Sequence, residues 1–87
     1  MARIISKEEI SHYKIIPALV NKVAQWHKEL SYAMRLGNEF KGKTNITFET
    51  TEGPVSVETT VWSVAGGHLQ LKGGTVIPVN SIVDIHF

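Results

Sequence analysis

The sequence predicts an α+β fold in which N-terminal helices, broken near Pro17, pack on a strongly bent antiparallel sheet of four to five strands. Three observations carry this expectation. A helix-start signal at Ser6 and a stripe of helical period after Pro17 mark the first half, an alternation of period two takes over at Asn45, and glycine and proline turn signals cut the second half into short strands. With 87 residues the chain has the size of one core, so 1–87 is read as a single domain with a helical half at 1–38 and a β half at 43–87.

Ser6-Lys7-Glu8-Glu9 has the S-x-x-E form of a capping box, with Ile5 and Ile10 at the staple positions, and predicts a helix starting near Lys7. Pro17 lacks an N–H and biases Ile16 away from helix, which predicts a break there and a second helix opening at Pro17. From that point Leu19, Val23, Trp26, Leu30, Ala33 and Gly37 recur at spacings of three and four, while Lys22, Lys28 and Arg35 fall on the opposite side. Gly37-Asn38 reads as the stop.

The period then changes. Ile46, Phe48 and Thr50 alternate with polar neighbours, and Glu52-Gly53-Pro54 turns the chain into Val55, Val57 and Thr59, which reads as a hairpin. After Thr59 the apolar residues are Val61, Trp62 and Val64, so strict alternation fails and a bend or bulge is expected around Thr60. Ala65-Gly66-Gly67 and Gly73-Gly74 bracket another short strand, Pro78 marks a strand end or edge, and Ile82–Phe87 closes the chain as a strand.

In these features Lys43–Phe87 resembles the small bent barrels of the SH3-like and Sm-like kind. The likeness lies in the strand pair split at Glu52-Gly53, the short strands around Leu69-Gln70-Leu71 and Val76-Ile77-Pro78-Val79, and the Ile82-Val83-Asp84-Ile85 ending. It implies a barrel with an N-terminal helix. Sm-like RNA binders carry an Asp-x-x-Asn element in one loop and Arg-Gly in another, whereas the loops here read Ala65-Gly66-Gly67 and Lys72-Gly73-Gly74, so the resemblance brings the fold without the RNA site. The whole chain is also similar to short bacterial proteins with no assigned activity.

Composition narrows the function classes. The chain has no cysteine, which excludes disulfides, thiolate metal sites and cysteine nucleophiles, and fits a cytoplasmic setting; the acidic Glu8-Glu9 falls where a secretory leader would be apolar. Residues 1–43 hold eight Lys/Arg against four Glu, and residues 44–87 hold one Lys against four acids, so the halves carry opposite charge. Of the four histidines none has a metal-binding spacing to another, Glu49, Glu58, Asp84 and His86 fall on polar positions of strands, and the glycine doublets do not open helices. No catalytic residue, metal or cofactor is therefore expected.

What remains is surface. The expected function is a non-enzymatic protein-interaction or homodimerisation module, with Trp62, Trp26, Val83 and Phe87 as candidate interface residues. An alternative is a nucleic-acid-binding small barrel using Lys14, Lys22, Lys28, Arg35, Lys41 and Lys43. A small-ligand binder or enzyme would need a pocket that sequence does not reveal.

Overall fold

Where the period-two pattern is strictest, the chain forms the hairpin on which the other elements are laid. The computed structural model describes residues 3–18, 23–40 and 43–86. In order it contains β1 (Arg3–Ile5), a 3₁₀ turn (Lys7–His12), α1 (Val23–Phe40), β2 (Thr44–Thr50), β3 (Gly53–Thr59), β4 (Val61–Ala65), β5 (His68–Leu71), β6 (Val76–Pro78), a second 3₁₀ turn (Val79–Ser81) and β7 (Ile82–His86). The strands make a four-stranded sheet, β1-β3-β2-β7, and a three-stranded sheet, β4-β5-β6.

This corrects the expected fold class. Strand dominates, the strands divide between two sheets instead of one bent antiparallel sheet or SH3-like barrel, and there is one α-helix among the described residues instead of an N-terminal pair. The helix expected at Lys7 is a six-residue 3₁₀ turn, although its start signal is used: the Ser6 N–H and hydroxyl both donate to Glu9 Oε1, and the Glu9 N–H donates to the Ser6 carbonyl. Pro17 opens no helix. Residues 14–18 run extended, with Ile15 bridging Thr50, Ile16 N–H donating to the Glu49 carbonyl and Thr51 N–H to that of Lys14. The bias that proline imposes on its predecessor favours this extended path, and the sheet edge supplies the hydrogen bonds a helix would have supplied. Gly37 and Asn38 lie inside α1, so they are not its stop, and Leu19 and Val20 lie outside the described residues.

The first strand was also unexpected. β1 runs parallel to β3, with Arg3, Ile4 and Ile5 opposite Val55, Ser56 and Val57, which makes the larger sheet mixed and joins the two halves of the sequence. Three residues are too few to show a period.

The β2–β3 hairpin pairs every residue from Thr44↔Thr59 to Thr50↔Gly53. Its turn is locked by Thr50, whose hydroxyl donates to the Gly53 carbonyl at 2.6 Å and accepts from the Glu52 N–H at 3.1 Å, and Gly53 takes a positive φ of 99°. Ile46, Phe48, Val55 and Val57 turn inward. The chain breaks at Thr60 and enters the second sheet, where Val61, Leu69, Leu71 and Ile77 meet the same core.

α1 closes that core with Trp26, Leu30 and Ala33, spaced four and three apart, and packs chiefly along β4, with further contact to β7 and the second 3₁₀ turn. The buried Trp26 Nε1 donates to the Ile82 carbonyl at 3.1 Å, tying the helix to β7. Leu30 is fully buried. Leu30→Ala should lower stability by about 3 kcal/mol in urea denaturation through lost burial and a residual cavity; a change within error would show that the helix is not docked as described. Trp26→Phe should cost about 1–2 kcal/mol, because the Ile82 carbonyl loses its donor.

Candidate interaction surface

Inward residues three apart within a strand require one extra residue to be pushed out, and this happens twice. In β4, Val61 opposes Leu71 and Ser63 opposes Gln70, so Trp62 is the extra residue; in β7, Ile82 opposes Phe48 and Asp84 opposes Thr47, so Val83 is. Trp62 is 46% exposed and Val83 40% exposed. Both exposed candidates thus sit unpaired at a bulge, each directly after a buried residue. Trp26, offered as a third, is 3% exposed and belongs to the core, and Phe87 lies outside the described residues.

The two exposed positions sit in different surroundings. On the outer face of the three-stranded sheet, Ser63 Oγ donates to Gln70 Oε1 at 3.2 Å, and Gln70 in turn opposes Val76, which is 49% exposed. Trp62 and Val76 therefore flank Gln70, roughly 10 Å apart at the usual strand spacing. β7 is more guarded. Its Ile82 carbonyl accepts from Trp26 and its Ile85 N–H donates to Asp84 Oδ1 at 2.9 Å, so part of the edge that an added strand would use is already occupied.

The four described basic candidates do not gather into one surface. Lys28 and Arg35 share the outer side of α1, about two turns apart. Lys14 lies beside the hairpin turn and Lys43 at the other end of β2, roughly 20 Å away. Lys22 and Lys41 lie outside the described residues. Lys43 instead borders a small polar cleft of about 290 Å³ with Lys72, Glu8 and Glu58, where opposite charges face one another.

Glu49, Glu58, Asp84 and His86 do lie on the outer side of the four-stranded sheet, as alternation predicts, and His86 Nε2 sits 2.6 Å from Asp84 Oδ2 on an exposed ledge. Ser56 and Thr47, at the centre of that face, hydrogen-bond to each other through their hydroxyls. No group of three or more metal-ligating side chains occurs among the described residues, and His68 Nδ1 contacts the Gly66 carbonyl of its own turn. The His27 side chain lies outside the described residues.

A larger cleft, of about 420 Å³, opens between β6 and residues 8–15. Sequence reasoning missed it, because its two walls are more than sixty residues apart. Ile10, Tyr13, Ile15, Val76 and Pro78 give it apolar sides, and Glu8, Ser11 and Thr75 supply polar atoms. Tyr13 is held in place: its hydroxyl accepts from Arg3 Nη1 at 3.2 Å, a bond that raises the guanidinium pKa further above its already high value.

Comparison with protein-family models, curated proteins and solved structures finds no match to this chain. No helix among the described residues is long and apolar enough to cross a membrane. The two tryptophans should be separable in dilute solution. Trp26 should resist acrylamide and emit to the blue, whereas the Trp62 emission should be readily quenched and disappear in Trp62→Ser; uniform shielding at low micromolar concentration would contradict the bulge geometry.

Proposed function

We propose that this chain is a non-enzymatic interaction module that forms homodimers through the outer face of the three-stranded sheet. The single observation that carries the reading is the exposed indole of Trp62, the unpaired residue of the bulge in β4 and a large aromatic on the outward side of that strand. Exposed tryptophan is a frequent anchor of protein interfaces, since it buries a large area with few rotatable bonds.

Two features favour a second copy as the occupant. Trp62 and Val76 stand on either side of Gln70, so a two-fold axis between them would bring the Trp62 of each copy to the Val76 side of the other and make the patch self-complementary. Ser63, Gln70 and Val76, which face outward there, carry no charge, so association of like faces meets little repulsion. A cytoplasmic setting accompanies the reading and is supported by the absence of cysteine.

Multi-angle scattering and sedimentation across a wide concentration range test this directly. The wild-type chain should move from monomer to dimer with concentration, and Trp62→Ser should shift that transition upward at least tenfold while leaving thermal stability nearly unchanged. A chain that stays monomeric at millimolar concentration would end the proposal.

A further inference from the structure

We infer that the cleft between β6 and residues 8–15 is the socket for Trp62 of the partner subunit, so that a two-fold dimer exchanges indoles. The inference rests on the self-association reading and names the contact that carries it.

The chemistry of the cleft matches an indole. A buried tryptophan asks for apolar walls and one acceptor for its ring N–H. Ile10, Tyr13, Val76 and Pro78 provide the walls, Glu8 and Ser11 bring acceptor oxygens, and the volume of about 420 Å³ lies within the range of sites that enclose small organic groups. Trp62 is the exposed aromatic on the sheet face that borders this cleft, two strands from Val76. Because knob and socket adjoin on one face, residue-to-residue contacts become reciprocal about a two-fold axis and the assembly closes as a dimer.

The edge of β6 favours insertion of a side chain over addition of a strand. Leu71 N–H donates to the Thr75 carbonyl and Val79 N–H to that of Gly67, so by alternation the backbone of Val76 and Pro78 points away from β5. Pro78 has no N–H, and its carbonyl already accepts from Ser81 Oγ at 2.7 Å. Val76 alone offers a donor and an acceptor on this edge, which is too short a ladder to hold an added strand.

Ser11 is exposed, so Ser11→Trp fills the socket from its own subunit without disturbing the core. Ser11→Trp and Trp62→Ser should each weaken dimerisation on the order of 100-fold, as loss of two central aromatic anchors per dimer implies. An equimolar mixture of the two variants should associate more tightly than either alone, since that heterodimer retains one intact knob facing one intact socket. Val76→Glu, on the exposed wall, should weaken the wild-type dimer without lowering the urea midpoint.

If Ser11→Trp dimerises like the wild type, or the mixture gains nothing over its components, the socket assignment falls while self-association through this face stands. Growth of open chains beyond the dimer would overturn the two-fold arrangement. A wild-type chain monomeric at millimolar concentration would instead remove the self-association reading itself.

Discussion

Val57 and Val61 are both fully buried and only four residues apart, yet they belong to different sheets. One uninterrupted strand cannot serve two sheets around one core, so the chain must bend between them, and it does so at Thr60. The break leaves a carbonyl to be satisfied, and the Lys72 N–H donates to it at 2.9 Å, which anchors the end of β5 to the bend. The second sheet, the cleft beside β6 and the docking surface for α1 all take their positions from this turn.

The bend explains the bulge that follows. Val61 faces the core directly after the turn, Val64 packs against it three residues later, and a strand can present residues at that spacing only by inserting one that does not pair. The inserted residue is a tryptophan. β7 repeats the device with Ile82 and Ile85 inside and Val83 outside, but there the released residue stands on a strand whose edge groups are engaged by Trp26 and Asp84. The same backbone irregularity therefore yields a guarded edge in one sheet and an open apolar knob in the other.

Charge is arranged differently from what the opposed halves of the sequence suggest. Lys28 and Arg35 are exposed on α1, and the acids of the hairpin and β7 line the outer side of the four-stranded sheet. What joins the halves is apolar: Ile5 and Ile10 from the first segment enter the core with Val55 and Val57, and β1 supplies backbone pairing to β3. Two of the described basic candidates are held apart for a simple reason. The two ends of a seven-residue strand separate Lys14 from Lys43, whatever their closeness in composition.

The elements that sequence by itself determined are those whose information is local. Period two marked the Thr44–Thr59 hairpin, Glu52-Gly53 its turn, period 3.6 the Trp26–Leu30–Ala33 face of α1, and the lapse in alternation after Thr59 the irregularity at the start of β4, while the exposure of Trp62 itself was left to the structure. Tertiary structure decided the rest. Whether residues 14–18 coil or extend depended on hydrogen bonds offered by Glu49, Lys14's neighbour Thr51 and Asn80, and whether Ile4 and Ile5 form a strand depended on a partner fifty residues away. The cleft beside β6 belongs to the same class, because a cavity is a relation between surfaces and no one segment carries its signature.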